Sequence, residues 1–196
     1  MIITQNKKEA SNKLPFFISY FISDPSLFNN INLIFKKYNP NIVCFRDKET
    51  LNIEPLAKDF IKTARKSNIN LVLINTHIDL AIRYKYDGVH LTSKQFNSIK
   101  KSKENKLFVI ISCHTEYEVQ LAKKLGADAI TYSPIFYKKN KGKPKGIEDL
   151  KNIIEKYQDD SFSIIALGGI VDDTFVKQIE STKAKGFASI GYFNSI

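Results

Sequence analysis

The sequence predicts a compact (β/α)8 barrel of the TIM-barrel kind without a full eighth helix. Three observations carry that expectation: eight short apolar runs recur along 196 residues, segments of helical spacing separate them, and polar residues collect where the runs end. Most runs are continuous rather than alternating, as parallel strands covered on both faces require. An open doubly wound sheet is the alternative architecture, but no GxGxxG follows the first run to support it.

The elements follow in chain order. The first strand is read in "LPFFISY" (14–20), and Asp24 followed by Pro25 opens a helix. Strand two is "NIVCFRD" (41–47), and strand three "INLVLIN" (69–75), which runs through Thr76 and His77 into a helix. "YDGVHL" (86–91) and "LFVIIS" (107–112) supply strands four and five. "TEYEVQLAKKLGA" (115–127) then shows apolar residues at 119, 121, 122 and 125, an acidic first turn, and Gly126 as its stop. Strands six to eight are "DAITYS" (128–133), "SIIALG" (163–168) and "FASIG" (187–191), with "VDDTFVKQIEST" forming a helix between the last two. The sequence stops at Ile196, so we expect one domain over 1–196, with a barrel core of about 14–196 and no room for a full eighth outer helix.

Composition narrows the function classes. The segment before residue 14 is polar and Lys-rich, and no apolar run approaches the length of a membrane span, so a cytoplasmic location and no membrane partner are expected. Cys44 and Cys113 lie inside apolar segments, as reduced core thiols do. The net charge of +10 admits nucleic acid, an anionic small molecule, or solubility alone. A nucleic-acid groove needs basic residues interleaved with exposed aromatics, whereas the 14 Phe and 9 Tyr fall mostly in apolar runs. We therefore expect an anionic small molecule and no nucleic acid, with "YKKNKGKPKG" (137–146) as the local cationic concentration and a lid or a solvated loop as its two readings.

In a (β/α)8 barrel the chemistry belongs at the C-terminal ends of the strands. Polar residues assigned there are Ser19, Tyr20, Arg46, Lys48, Asn75, Thr76, His90, Ser112, His114, Tyr132, Ser133, Gly168, Gly169, Gly191 and Asn194. The glycines of "ALGGI" (166–170) and the loop around Gly191, Asn194 and Ser195 suit a phosphate cradle of backbone N–H groups; a tight turn is the plainer reading. Arg46 and Lys48 alternate across Asp47 and so share a side, either the mouth or solvent. His114 follows a buried strand and precedes a helix, where it could exchange a proton with a ligand or cap the helix. His90 is expected to be structural and His77 exposed; three histidines this dispersed give no zinc spacing.

In the same order, "CFRDKE", "LINTHIDLA", "YDGVHL", "ISCHTEYEVQLAKKLGADAITYSPIF", "ALGGI" and "NSI" resemble the thiamine phosphate synthase and thiazole tautomerase superfamily over about residues 14–196. The resemblance implies a phosphorylated thiazole as ligand, with a homodimer left open. A synthase, which joins an aminopyrimidine pyrophosphate to thiazole phosphate, resembles this chain at Arg46, Lys48, Asn75, Ser112 and Lys141. Its Mg2+ is held by two aspartates, and this chain has Thr76 at one position and, by the closest placement, Gln95 at the other. Hydroxyl positions after strand six are also replaced, by Lys138 and Asn140. The tautomerase branch has no such metal requirement and is similar at Arg46, Lys48, Asn75, Ser93 and His114. By resemblance, His114 would move a proton that aromatises a carboxythiazole phosphate, and no cofactor is expected; Mg2+ belongs to the synthase alternative. A non-catalytic binder of thiazole or thiamine phosphate is a further alternative.

Overall fold

The computed structural model describes residues 16–194. Eight parallel strands close on themselves: β1 (Ile18–Ile22), β2 (Ile42–Phe45), β3 (Leu71–Asn75), β4 (Gly88–Leu91), β5 (Phe108–Cys113), β6 (Ala129–Tyr132), β7 (Ser163–Leu167) and β8 (Gly186–Ser189). Each strand pairs with the next in the chain, and β8 pairs with β1, so the open-sheet alternative is excluded. Among the described residues seven α-helices lie outside: α1 (Ile31–Tyr38), α2 (Glu54–Lys66), α3 (Ile78–Tyr84), α4 (Ser98–Glu104), α5 (Glu116–Lys124), α6 (Gly146–Tyr157) and α7 (Asp173–Glu180).

The period-two alternation of the strands divides the apolar residues into two cores. Ile18, Tyr20, Ile42, Cys44, Leu71, Leu73, Ile110, Ala129, Ile165 and Ala188 fill the barrel interior. Their neighbours, such as Phe21, Val43, Val72, Val89, Ile111, Ile130 and Ile164, face outward and pack with the helices. Both faces are thus apolar, which is why the runs do not alternate in sequence.

β8 leads into a 3-10 turn, Gly191–Asn194, at the end of the described residues. Aromatic packing covers the strands there: buried Phe193 meets the rings of Phe21 and Tyr38 at 5.3 Å and stacks 6.1 Å from Phe187.

Four local expectations need correction. The first strand ends two residues later than "LPFFISY" suggests, because the apolar run continues through Phe21 and Ile22 before Ser23 breaks it. Ser19 consequently lies near the start of β1, where its N–H donates to Asn41 at 2.9 Å, and not at the mouth. Asp24 caps a 3-10 turn, Pro25–Asn30, before α1 begins. Tyr132 faces outward, with its hydroxyl donating to Asp149 on α6 at 2.7 Å.

Candidate active site

Extending the inward register toward the strand C-termini brings Arg46, Asn75, His90, Ser112 and Thr131 to one mouth, with Tyr20 beneath them. Arg46 follows Ile42 and Cys44 in that register and pairs with Asp24 at 3.3 Å. Lys48 is close enough to Arg46, and to Lys141 from the loop after β6, for their positive charges to depress its amine, with burial adding to the effect. Such crowding of three cations favours an anion among them. Between Arg46 and Lys48, Asp47 folds back on its own loop and accepts the N–H groups of Glu49 and Thr50 at 2.8 and 3.0 Å. Burial raises its carboxyl, but those N–H bonds and Arg46 outweigh burial and hold it below the usual range.

Deeper in the barrel, four side chains from four strands form one hydrogen-bonded group. The Tyr20 hydroxyl lies 2.8 Å from His90 Nδ1, and His90 Nε2 lies 3.0 Å from Ser112 Oγ and 3.3 Å from Thr131 Oγ1. The imidazole is buried, and burial followed by the charge of Arg46 lowers it to about 3, so it is neutral at pH 7. Sequence reasoning misses Thr131 and the pairing of Tyr20 with His90. Inward alternation from Ser133 to Thr131 is the available signal for the first, but nothing local marks Tyr20 as a partner of His90.

His114 lies just beyond β5, one residue before the cap of α5. Thr115 is that cap: its hydroxyl accepts the Glu118 N–H at 3.2 Å, and the Glu118 carboxylate reaches back to the N–H groups of Thr115 and His114. The reading of His114 as helix cap is therefore corrected. Its exposed side chain turns instead to the end of β6, placing Nδ1 3.1 Å from the Ser133 carbonyl oxygen and 3.2 Å from the Ser133 hydroxyl. Because a carbonyl oxygen only accepts, Nδ1 carries a proton, and in the neutral ring the lone pair is then on Nε2. Among the described residues no donor occupies that lone pair.

The edge of β3 and β4 is held by neutral groups. The His90 carbonyl accepts both the Asn75 side-chain amide at 2.7 Å and the Thr76 N–H at 3.1 Å. Gln95 Oε1 accepts from the backbone N–H and the hydroxyl of Thr92, both at 3.1 Å, while its amide nitrogen donates to the Thr76 carbonyl at 3.4 Å. The two positions at which the resemblance places metal-binding carboxylates are thus tied together by an amide whose oxygen is already engaged. A hard cation selects anionic oxygens, so these residues do not fit magnesium. Among the described residues, no group of three or more His, Cys, Asp and Glu side chains is placed to hold a metal.

At the far side of the mouth, Gly168 and Gly169 have φ of 100° and 74°, in the region that favours glycine. A Cβ on Gly169 would lie 2.7 Å from the backbone of Phe136 and of Tyr137, so this glycine also lets the loops after β6 and β7 pack against each other. The Ser189 hydroxyl donates to the Ile170 carbonyl at 2.7 Å and accepts the Tyr192 N–H at 3.1 Å, joining the loops after β7 and β8. Gly191 and Asn194 lie on the second of these loops and are exposed; Ser195 lies outside the described residues. A cleft of about 450 Å3 opens beside the mouth, lined by Leu51, Asn52, Glu54, Thr76, His77 and Lys101 among others. Of the mouth residues above it includes Thr76 alone.

Comparison with known proteins matches residues 19–193 to the family described as thiamine monophosphate synthase. A protein of Aquifex aeolicus named putative thiamine-phosphate synthase 2 is 33% identical over 162 residues, 80% of this chain and 84% of that one. The thiamine-phosphate synthase of Proteus mirabilis is 30% identical over 156 residues, 77% of this chain and 69% of its own. Among solved structures, thiamine phosphate pyrophosphorylase from Pyrococcus furiosus superposes with a TM-score of 0.75 at 22% identity, covering 89% of this chain and 85% of that one, a likeness of fold.

Proposed function

Because the chain belongs to the thiamine monophosphate synthase family, we propose that it is an enzyme of thiamine phosphate biosynthesis acting on a phosphorylated thiazole, and that its reaction is aromatisation of a carboxythiazole phosphate by proton transfer. The observation that carries this choice is the β3–β4 edge, where Thr76 and Gln95 form a neutral clasp in place of a carboxylate pair. Tautomerisation expels no leaving group and makes no demand for a cation there. In this reading the proton leaves the saturated ring carbon to His114 Nε2, the double bond moves into the ring, and a proton is delivered to the exocyclic carbon. Ser133 keeps the imidazole in the tautomer that can accept. Arg46 and Lys48, with Lys141 near them, meet the carboxylate; Gly168, Gly169, Gly191 and Asn194 supply the phosphate loop; Asn75 and Ser112 contact the ring.

The second reading is a thiamine-phosphate synthase, and the names of the similar proteins support it more directly than they support a tautomerase. Arg46, Lys48, Asn75, Ser112 and Lys141 serve either reaction, so they do not discriminate.

His114→Asn tests the first reading. The variant should melt at the wild-type temperature and bind the thiazole phosphate with similar affinity, while tautomerisation falls about 10²-fold or more, the usual contribution of a general acid–base group. Unchanged turnover in the variant contradicts the assignment. Saturable thiazole phosphate binding by wild type, with neither tautomerisation nor coupling, would identify a binding protein.

A further inference from the structure

The buried group beneath the mouth has a direction. Tyr20 is fully buried on β1, and its hydroxyl has two polar neighbours, His90 Nδ1 and the Cys44 thiol. Sulfur is a weak acceptor and the imidazole nitrogen a good one, so the tyrosine proton belongs on the bond to Nδ1. The opposite arrangement, with Nδ1–H donating to the tyrosine, would leave the buried phenolic proton to the sulfur, a much poorer acceptor. A neutral imidazole that accepts at Nδ1 must carry its proton on Nε2, which then donates to Ser112 Oγ at 3.0 Å. Thr131 Oγ1 also donates to Ser112 Oγ, at 3.4 Å. Both lone pairs of Ser112 are then engaged from below, and the hydroxyl retains only its hydrogen. Of the four side chains Ser112 alone is not buried, so that hydrogen points to the one place left, the mouth.

We propose that Tyr20, His90 and Thr131 are positioning residues that fix Ser112 as an obligate hydrogen-bond donor, so that the site selects a ligand presenting an acceptor at that point, a ring nitrogen or an anionic oxygen, and rejects one presenting an N–H. Each donor in the chain polarises the next, which makes the Ser112 hydroxyl a stronger donor than an isolated serine. The inference rests on the reading of this mouth as the thiazole phosphate site, but the direction of the relay is a property of the protein alone.

Two measurements on the full chain test it. In long-range proton–nitrogen correlation spectra of 15N-labelled wild type at pH 7, with the His90 ring assigned through its backbone resonances, the imidazole should be the Nε2–H tautomer. The Nδ1–H tautomer overturns the proposal, and that result depends on no variant. Titration calorimetry with the thiazole phosphate should then show Ser112→Ala binding about tenfold more weakly, the loss of one hydrogen bond. Tyr20→Phe should weaken binding by about threefold in the wild-type background and not at all in the Ser112→Ala background, because its effect passes through that hydroxyl. Equal effects in both backgrounds overturn the relay. If wild type fails to bind the thiazole phosphate, the functional reading falls while the tautomer at His90 still decides the relay.

Discussion

Thr76 shows most plainly how much a single position constrains. Its φ of 66° is left-handed, a conformation costly for a β-branched side chain and tolerated by Asn or Asp. The neutral clasp therefore holds a residue poorly suited to its backbone. Thr76→Asn should raise stability by about 1 kcal/mol in urea denaturation; an unchanged or lower value would show that the clasp absorbs no strain. His90 makes stability depend on pH. Burial first, then Arg46, lowers its imidazole from 6.5 to about 3, so below pH 6.5 the unfolded chain takes up a proton that the folded chain refuses. Stability is then lost as pH falls through that window, by about 1.4 kcal/mol per unit from this group. His90→Gln removes the contribution, and the denaturation free energies of variant and wild type, measured from pH 7 to 4, should converge toward acid. Parallel curves would mean that His90 titrates normally.

At the scale of elements, the start of α5 separates two roles that the sequence leaves superimposed. "TEYE" is a capping box, and Thr115 with Glu118 closes it. Thr115→Ala should cost about 1 kcal/mol by thermal or urea unfolding; His114→Asn should stay within about 0.5 kcal/mol of wild type. The reverse ranking would return His114 to the cap. The strands, the barrel class and most mouth residues are legible in the sequence because continuous apolar runs and helix stops are local signals. The end of β1 is less so, since the apolar run offers no break until Ser23. The buried relay is not legible: it joins residues 70, 22 and 41 positions apart, and only closure of the barrel brings them together. The glycines after β7 carry a mixed signal, because Gly169 serves loop packing as well as any ligand.

For the whole molecule, barrel closure depends on what covers the β8–β1 seam. Phe193 stands there with Phe21, Tyr38 and Phe187, and Phe193→Ala should destabilise the fold by about 3–5 kcal/mol in equilibrium unfolding. A loss under about 1 kcal/mol would mean that the seam is closed by strand pairing alone. The same closure brings Arg46, Lys48 and Lys141 near one another at the mouth, beside the neutral β3–β4 edge, a combination that suits the anionic ligand proposed above. In the proposed reaction this mouth moves a proton and does not expel pyrophosphate. The direct measurement is a pair of assays on wild type, following carboxythiazole phosphate by NMR in excess chelator and pyrophosphate release from the pyrimidine and thiazole substrates in magnesium. Aromatisation should be undiminished by chelator, with no enzyme-dependent pyrophosphate. Magnesium-dependent pyrophosphate release without acceleration of the tautomerisation would contradict it.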